Sequence, residues 1–392
     1  MTDQRTTSGD RTVIGQICHG NLGGSSRVAG RLANALAQRG QCVEMFSLEP
    51  LPWALSPDIE VHTLRQDRRA PVLPLYSDWS RDDRDAFAQM LIDQLAETPF
   101  DILHYHYAQP FAAILRQVTA ALGDRMPVTI GTLHGTDLSR CRSDQGQLAS
   151  LKDDLAATDE VTTTSNHMCR LFRSLMPDQT APRILPIFVE DDWPDTASHE
   201  ETPLETPARP VILHVSNFRT VKDVMRLAQL FGRILEQVDV ELWLVGEGPD
   251  LPDLKNMLNN SPARHVVRYL GVQDNPTTCF KQASVLLSTS SEEGFGLAVL
   301  EAMASGAIVA ATKVGGIPEL VTDDVTGLLF TPHDIESTAA RVASLLKAPA
   351  KVAAMRAAAL CQAEHFRESQ VVGLYQDLYS ERLTTRPVHM VN

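Results

Sequence analysis

Residues 292–306 of the chain, Glu-Glu-Gly-Phe-Gly-Leu-Ala-Val-Leu-Glu-Ala-Met-Ala-Ser-Gly, predict a glycine-containing loop that leads directly into an apolar helix. Gly294 and Gly296 allow the backbone to approach a ligand closely. The N–H groups from about Gly296 onward lack partners within the helix, so they form an anion site at its N-terminus. Gly306 follows the helix as its expected C-cap. A phosphate group at the helix start is therefore the first expectation.

Two glutamates belong to this stretch. Glu293 lies in the loop, and Glu301 lies inside the helix among apolar neighbours, where an unpartnered carboxylate is costly. The paired hydroxyls of a ribose would satisfy Glu301. A glutamate that only favours the positive end of the helix is the alternative interpretation. A phosphate at the helix start and sugar hydroxyls at two glutamates together predict a sugar nucleotide as the ligand.

The spacing of the two glutamates resembles a known signature. Glu293 and Glu301 have seven residues between them and are followed by Gly-Gly-Ile-Pro-Glu at 315–319. This pattern is similar to the E-x7-E signature of the retaining glycosyltransferases of family 4, which have the GT-B fold. The resemblance implies that Glu293 contacts the donor sugar and that Glu301 contacts the ribose. The backbone expected at the diphosphate belongs to Gly294, Phe295, Gly296 and Leu297.

The composition is that of a globular protein with small-molecule ligands. With 392 residues, the chain suits two domains. A net charge of −14 argues against a nucleic-acid partner and makes anion binding depend on local arginines and lysines. The six cysteines form no C-x-x-C pair, which predicts reduced thiols in a cytoplasmic protein. No apolar run approaches 18 residues, so no membrane span is expected.

Short apolar runs alternate with helical patterns, which predicts an α/β protein with doubly wound parallel sheets. The resemblance implies the GT-B arrangement, in which two Rossmann-like domains face a central cleft. We assign residues 11–190 to an acceptor-binding domain and residues 210–366 to a nucleotide-sugar-binding domain. Residues 191–209 are acidic and contain prolines, as linkers do. The last helix, at about 367–385, is expected to pack back on the first domain. Predicted strands span 12–18, 42–47, 102–106, 128–133, 160–164, 184–187, 211–215, 241–245, 266–270, 285–288, 308–311 and 327–330.

A glycine-rich loop follows the first strand. Residues 20–26, Gly-Asn-Leu-Gly-Gly-Ser-Ser, precede a helix predicted over 27–38 and do not match the G-x-G-x-x-G dinucleotide fingerprint. Gly24 is expected to bring backbone amides close to the donor diphosphate or the acceptor. Ser25 and Ser26 are expected either to cap the helix or to bind an acceptor oxygen. A plain tight turn is the alternative.

The ends of two further strands carry polar side chains. His104 and His106 share one face of a strand that ends near Tyr107, a candidate for acceptor binding. A His-x-His pair can ligate zinc, but no third ligand with suitable spacing accompanies it.

The next strand ends with Thr-Leu-His-Gly-Thr-Asp at 132–137. His134 resembles the position that faces the donor sugar in GT-B transferases, and a structural core histidine is the alternative. Thr136 is a candidate for binding an acceptor carboxylate. Asp137 is expected to cap the loop.

The second domain opens with a strand end followed by two cations. The stretch His214-Val-Ser-Asn-Phe-Arg-Thr-Val-Lys222 places Arg219 and Lys222 beside the expected diphosphate. Both charges can stabilise the leaving group as its negative charge grows. A solvated basic turn is the alternative. Asn217 precedes the cations and is a candidate for acceptor binding.

Several stretches are similar to the branch of the family that joins N-acetylglucosamine to L-malate in bacillithiol synthesis. Ile187 and Phe188 differ from that branch, which has Asn-Phe there, and the acidic residues expected after Asp274 are missing. The similar stretches are Gly-Gly-Ser at 23–25, His-Tyr-Ala-x-Pro at 106–110, Thr-Leu-His-Gly-Thr-Asp at 132–137, Ser-Asn-Phe-Arg-x-Val-Lys at 216–222 and Leu-Gly-x-Gln-Asp at 270–274.

Asp83-Arg-Asp85 matches the D-x-D metal motif of the other large glycosyltransferase fold. It lies in a charged helical run, which favours a solvated helix face. GT-B enzymes use helix dipoles and basic side chains in place of a metal. We therefore expect no metal and no cofactor besides the sugar-nucleotide substrate.

The resulting expectation is retaining transfer of N-acetylglucosamine from UDP-N-acetylglucosamine to a small polar acceptor, with L-malate as the first choice. The alternatives are S-glycosylation of a small thiol such as ergothioneine from a GDP- or UDP-sugar, a sugar-nucleotide epimerase, and a non-catalytic sugar-nucleotide sensor. The sequence leaves open whether the chain is a monomer or a homodimer. The catalytic candidates are His134, Arg219, Lys222 and Glu293. The donor candidates are Gly24, Arg219, Lys222, Gly294, Phe295, Gly296, Leu297 and Glu301. The acceptor candidates are Ser25, Tyr107, Thr136 and Asn217.

Overall fold

Two parallel sheets form the framework of the protein. The computed structural model describes residues 11–20, 23–66, 79–194, 206–273 and 276–385. Within these residues, a seven-stranded sheet comes from the first half of the chain and a six-stranded sheet from the second. The strand pairs of both sheets are parallel. This arrangement confirms the predicted α/β class with two Rossmann-like sheets.

The first sheet is surrounded by helices that connect its strands. Its strands are β1 Val13–Cys18, β2 Cys42–Ser47, β3 Glu60–Thr63, β4 Ile102–His106, β5 Val128–Leu133, β6 Glu160–Thr163 and β7 Arg183–Ile184. Its helices are α1 Gly24–Gln38, α2 Arg81–Glu97, α3 Phe111–Leu122, α4 Thr136–Ser139, α5 Gln145–Leu155 and α6 Asn166–Leu175. The strand order is β3-β2-β1-β4-β5-β6-β7, so the order reverses between β1 and β4. Ligands of such sheets bind at this reversal, beyond the carboxyl ends of the strands.

The second sheet repeats this plan. Its strands are β8 Val211–Val215, β9 Glu241–Val245, β10 Val267–Gly271, β11 Val285–Ser288, β12 Ile308–Thr312 and β13 Gly327–Phe330. The helices that follow are α7 Val224–Leu235, α8 Leu251–Asn259, α9 Thr277–Gln282, α10 Leu297–Ala304, α11 Ile317–Leu320, α12 Ile335–Leu346, α13 Pro349–Ala363 and α14 Glu368–Thr385. The order β10-β9-β8-β11-β12-β13 reverses between β8 and β11. None of the helices in the described ranges has the length and apolarity needed to cross a membrane.

Helix α14, the last in the chain, covers the first sheet rather than the second. Val372, Tyr375 and Leu378 are fully buried in one apolar cluster with Ile14 of β1 and Leu32 of α1. The sequence-based expectation that the last helix packs on the first domain is confirmed. The chain therefore crosses between the two sheets twice.

The structure differs from the sequence-based boundaries at three places near the first sheet. Strand β3 was missed because only four residues, half of them charged or histidine, form this exposed edge strand. Strand β7 is two residues long, since Pro182 and Pro186 flank it and cannot donate to a ladder. Helix α1 begins at Gly24 rather than at residue 27. Of the predicted linker, residues 195–205 lie outside the described residues.

Candidate active site

A cavity of about 490 Å³ lies between the carboxyl ends of the two sheets. It is located where both strand orders reverse, as doubly wound sheets require. The sequence-predicted site residues all line it, although they come from segments nearly 300 residues apart. These residues are Gly24, Ser25, Tyr107, His134, Thr136, Asn217, Arg219, Lys222, Glu293, Gly294, Phe295, Gly296, Leu297 and Glu301.

The glycine-containing loop before α10 is packed against the first domain. A Cβ atom on Gly294 would lie 2.0 Å from the carbonyl oxygen of His134, so only glycine fits at this position. The Ser165 hydroxyl, at the start of α6, donates a hydrogen bond of 2.6 Å to the Gly294 carbonyl. The loop that carries Glu293 is thereby fixed by contacts from both domains.

The N-terminus of α10 faces the cavity. Gly296 is its N-cap residue with a φ of 106°, a left-handed conformation that glycine adopts without strain. No side chain caps this end, and Gly296, Leu297 and Ala298 all line the cavity. The first backbone N–H groups of the helix are thus available to an anion, in agreement with the sequence-based interpretation.

Glu293 and Lys222 form an ion pair at the cavity wall. The Lys222 ammonium group donates to Glu293 Oε1, and the Ser290 hydroxyl donates to the same oxygen at 2.9 Å. Both charged side chains are mostly buried, with 19% and 17% of their surface exposed. The pair joins the strand end after β8 to the loop before α10, and it places opposite charges beside each other where a sugar and a phosphate would meet.

Glu301 is not an unpartnered carboxylate, contrary to the argument made from its apolar neighbours. Arg31 of α1 donates from Nη2 to Glu301 Oε1 at 2.7 Å, and Arg27 Nε lies 3.6 Å from the same oxygen. Arg31 also donates from Nε to Glu190 at 2.9 Å. Burial alone would lower the pKa of the Arg31 guanidinium, but Glu190 and Glu301 together raise it above its ordinary value. A ribose at Glu301 would therefore share a carboxylate that already joins the two domains.

The carboxylate of Asp137 holds the loop that carries His134 by accepting backbone hydrogen bonds. The backbone N–H groups of His134, Gly135 and Ala108 donate to the two oxygens of Asp137 at 2.8–3.3 Å. Asp137 is 1% exposed, and burial raises the pKa of its carboxyl group against the lowering effect of these donors. The predicted capping role of Asp137 is confirmed, and the carboxylate positions His134 at the cavity.

The four acceptor candidates are polar side chains that line the cavity. Tyr107 has a φ of 92°, and its hydroxyl donates to Thr136 Oγ1 at 2.9 Å. Asn217 Oδ1 is buried and accepts no hydrogen bond from the described residues, so it is suited to a ligand donor.

Helix α1 begins differently from the prediction. Its N-cap is Gly23, and Ser25 and Ser26 lie inside the first turn, so the predicted capping role of these two serines is wrong. Arg27 N bonds to the Gly23 carbonyl at 3.2 Å, which starts the helix three residues early.

Three basic side chains at the cavity were not predicted. Arg27 lies in α1, Arg142 follows α4, and His167 lies in α6. Arg142 Nη1 lies 3.7 Å from Glu292, and burial lowers the pKa of His167. An isolated basic residue has no sequence pattern that predicts its place in a binding site. The four-residue spacing of Arg27 and Arg31, which puts both on one face of α1, is the pattern that could have predicted Arg27.

Two motifs with metal-binding patterns have structural roles. His104 and His106 are fully buried beneath the cavity, and both nitrogens of each ring are within hydrogen-bonding distance of neighbouring side chains. Asp83 forms a capping box with Ser80 at the start of α2 and pairs with Arg65 at 2.7 Å. Asp85, on the same helix, is exposed, as a solvated helix face requires.

Two parallel sheets with a shared cleft are the features of a GT-B glycosyltransferase, and solved structures agree. A sucrose-phosphate synthase from Thermosynechococcus elongatus superposes with a TM-score of 0.81 at 20% identity, over 96% of this chain and 100% of that one. HepE from Anabaena in complex with UDP-glucose gives 0.75 at 17% identity, over 95% and 100%. The fold class is therefore GT-B.

Sequence relatives define the family. The profile described as Glycosyltransferase Family 4 matches residues 22–193, and the profile described as Glycosyl transferases group 1 matches residues 196–360. An N-acetyl-alpha-D-glucosaminyl L-malate synthase from Bacillus anthracis is 30% identical over 94% of this chain and 97% of its own length. A D-inositol 3-phosphate glycosyltransferase from Segniliparus rotundus is 26% identical, over 88% and 82%. The chain belongs to glycosyltransferase family 4 and is a sugar-transferring enzyme.

Proposed function

We propose that the protein transfers N-acetylglucosamine from UDP-N-acetylglucosamine to L-malate with retention of configuration and without a metal. The observation that carries this proposal is the convergence of Glu293, Glu301, Lys222 and His134 on one cavity. The resemblance to a malate-using relative over nearly the whole chain supports the choice of substrates. The first domain would supply the acceptor wall and the second the donor wall.

The donor side of the cavity fits a nucleoside diphosphate sugar. The diphosphate would lie at the N-terminus of α10, where backbone N–H groups and the positive helix end favour anions. Lys222 and Arg219 would stabilise the charge that grows on the departing phosphate. Glu301 would bind the ribose, and Glu293 would position the sugar.

The proposed reaction is a front-face displacement at the donor sugar, and this placement is compatible with it. The bond between sugar C1 and the β-phosphate oxygen breaks while the acceptor hydroxyl oxygen bonds C1 from the same face. The hydroxyl proton passes to the departing phosphate oxygen, so no protein carboxylate acts as the nucleophile. Glu293 is already paired with Lys222, which suits a positioning function better than attack on C1.

The acceptor side fits a small anion. Arg27, Arg142 and His167 belong to the first domain and line the cavity. Arg27 and Arg142 supply the local positive charge that an acceptor with carboxylates needs in a chain of net charge −14, and His167, whose pKa is lowered by burial, adds a neutral hydrogen-bonding ring. A dicarboxylate would bind between these cations and the Asn217 amide.

Ile187 favours a second candidate, transfer to a small thiol. Its side chain lines the cavity and packs with Phe295 and Val299, and it is 5% exposed. An apolar wall there suits an acceptor with a sulfur atom better than one with an additional carboxylate, because sulfur is the weaker hydrogen-bonding partner.

A donor-by-acceptor screen tests the proposal. Purified protein is incubated with UDP-N-acetylglucosamine, UDP-glucose or GDP-mannose and with L-malate, ergothioneine, cysteine or no acceptor. Chromatography and mass spectrometry identify the products. We expect UDP and one N-acetylglucosaminyl malate whose anomeric configuration, read by NMR, is that of the donor.

The controls distinguish the alternatives. Lys222→Ala should slow product formation by about two orders of magnitude. Lys255→Ala, the same change at an exposed lysine of α8, should not slow it. A product with a thiol but not with malate establishes the second candidate. Conversion of the donor to an epimer without acceptor indicates an epimerase. Donor binding with no UDP release under any condition indicates a sensor and refutes the transferase proposal.

A further inference from the structure

A chain of buried hydrogen bonds runs from the cavity to helix α14. His134 Nε2 lies 3.2 Å from His106 Nδ1, and His106 Nε2 lies 2.9 Å from Gln16 Oε1. Gln16 Nε2 lies 3.3 Å from the Tyr379 hydroxyl, which lies 2.7 Å from His104 Nδ1. Apart from His134, whose ring reaches the cavity, the members are 0–3% exposed.

The Gln16 amide gives the chain its direction: as oriented in the structure, its nitrogen donates to the Tyr379 hydroxyl and its oxygen accepts from His106 Nε2. The far end of the chain is consistent with this direction. The Gly131 carbonyl can only accept, and the Thr162 hydroxyl donates to it at 3.5 Å. Thr162 Oγ1 then accepts from the Thr132 hydroxyl at 2.7 Å. Thr132 Oγ1 in turn accepts from His104 Nε2 at 2.7 Å. His104 is thus protonated on Nε2, and its Nδ1 accepts the proton of Tyr379.

The next hydrogen bonds connect Tyr379 to His134 at the cavity. The Tyr379 hydroxyl donates to His104, so its oxygen accepts from the Gln16 amide nitrogen. The Gln16 carbonyl oxygen can only accept, so His106 carries its proton on Nε2. His106 Nδ1 is then an acceptor, and its neighbour His134 must donate from Nε2.

His104, His106 and His134 are neutral, so each ring carries one proton, on either Nδ1 or Nε2. Burial lowers the pKa of His104 and His134 to about 3, and it lowers the pKa of His106 well below its ordinary value. His134 Nδ1 has no hydrogen-bond partner among the described residues, although the ring lines the cavity. A neutral His134 protonated on Nε2 has a lone pair on Nδ1.

We propose that Tyr379, Gln16 and His106 are positioning residues that hold His134 in its Nε2–H tautomer, so that Nδ1 accepts a hydrogen bond from a hydroxyl of the donor sugar. The sugar contact rests on the proposed function, whereas the tautomer does not. A residue of the last helix would in this way set the chemistry of a side chain in the cleft. The members act together because each donor in the chain requires the next group to accept.

Histidine ¹⁵N NMR of the unliganded protein tests the tautomer directly, since protonated and unprotonated ring nitrogens have well-separated shifts. The signals of His134 are assigned by their loss in His134→Asn. We expect Nε2 protonated and Nδ1 unprotonated in the wild type. In Tyr379→Phe the oxygen that accepts from the Gln16 amide nitrogen is lost. The Gln16 amide is then free to rotate, and both His134 nitrogens should move to intermediate shifts.

Tyr375→Phe is the matched control. Tyr375 lies one turn away on α14, is fully buried, and donates only to the Pro186 carbonyl at 3.4 Å. This variant should keep the wild-type His134 signature, which separates the chain from a general effect of removing a buried hydroxyl. A Nδ1–H tautomer in the wild type, or an unchanged signature in Tyr379→Phe, would overturn the proposal.

Calorimetry tests the link to the sugar. Binding of UDP-N-acetylglucosamine is compared with binding of UDP in the wild type and both tyrosine variants. Tyr379→Phe should weaken the sugar nucleotide several-fold relative to UDP, and Tyr375→Phe should change neither. A changed tautomer with an unchanged ratio overturns the sugar contact. If wild-type protein binds UDP-N-acetylglucosamine no better than UDP, the proposed donor fails while the NMR result stands.

Discussion

Replacing Arg31 should destabilise the protein more than replacing any other arginine of α1. Arg31 and Glu301 are joined at 2.7 Å, and their side chains are 5% and 4% exposed. Removing one partner of a buried pair typically costs about 3–5 kcal/mol. Arg27, whose Nε lies 3.6 Å from the same oxygen of Glu301, offsets part of this loss, so we expect a cost at the lower end of the range. Arg31→Met keeps an unbranched apolar stem and removes the guanidinium. It also leaves Glu190 without this partner, but Glu190 is 30% exposed and is solvated more easily.

Glu301→Gln, which changes the other partner of the pair, should lower the free energy of unfolding less than Arg31→Met does. In Glu301→Gln the guanidinium of Arg31 keeps its bond to Glu190, so no buried charge is left alone. Once Glu301 is neutral, Arg31→Met no longer strands a carboxylate. We therefore expect the double variant to be more stable than additivity predicts by about 1–3 kcal/mol, within the range measured for residues in contact.

Equilibrium urea unfolding gives the four free energies of this cycle. Tryptophan fluorescence and circular dichroism are followed together, because coincident transitions justify a two-state treatment. Arg39→Met, at the C-cap of α1, is the matched control, since Arg39 pairs with Glu368 but has 28% of its side chain exposed. It should lose about 1 kcal/mol or less. Equal losses for Arg31→Met and Arg39→Met, with an additive cycle, would refute the role assigned to the buried pair.

The remaining predictions concern catalysis, binding and acid stability. Lys222→Ala and Arg219→Ala should each lose about 3 kcal/mol of transition-state stabilisation, which lowers kcat, with little change in donor affinity. Steady-state kinetics and calorimetry measure these two quantities. An unchanged kcat in both variants would exclude the assigned role. Glu301→Ala should weaken UDP binding by roughly 1.5–3 kcal/mol in calorimetry, and equal affinity would reduce Glu301 to a structural carboxylate. Ile187→Asn should improve malate use up to about tenfold in kcat/KM while lowering Tm; a product with a thiol but none with malate in either form would contradict it. Stability should fall as the pH drops from 6.5 towards 4, because buried histidines stay neutral while the unfolded chain takes up protons, at about 1.4 kcal/mol per histidine and pH unit. Urea unfolding at pH 7 and pH 5 should show this loss, and equal stability would contradict it. Burial lowers the pKa of His19, His104 and His134 to about 3 and that of His214 to about 4.

Much of the fold was predictable because buried parallel strands appear in the sequence as short apolar runs. Strands β8, β9 and β11 were predicted with the bounds that the structure has, since helices cover both faces of their sheet. Edge strand β3 was not predicted, because three of its four residues are polar and its extended conformation depends on pairing with β2. The start of α1 was misplaced because Gly-Gly-Ser-Ser is typical of a loop.

The site was predictable as a set of residues but not as a set of contacts. Strand ends and the glycine loop identified Glu293, Lys222 and His134, since the carboxyl ends of parallel strands meet at one edge. The bond from Arg31 to Glu301 joins residues 270 positions apart, and no local pattern encodes it. The same holds for Tyr379, whose hydroxyl meets His104 across 275 positions.

Helix α14 has a consequence for the way the protein is made. The ribosome completes the strands of the first sheet, which end at Ile184, long before it adds the 18 residues of α14. Until then the surface that receives Val372, Tyr375 and Leu378 faces water or a chaperone. The amino-terminal half can therefore reach its final stability only after α14 has been synthesised, and a premature stop before residue 368 would leave its apolar face uncovered.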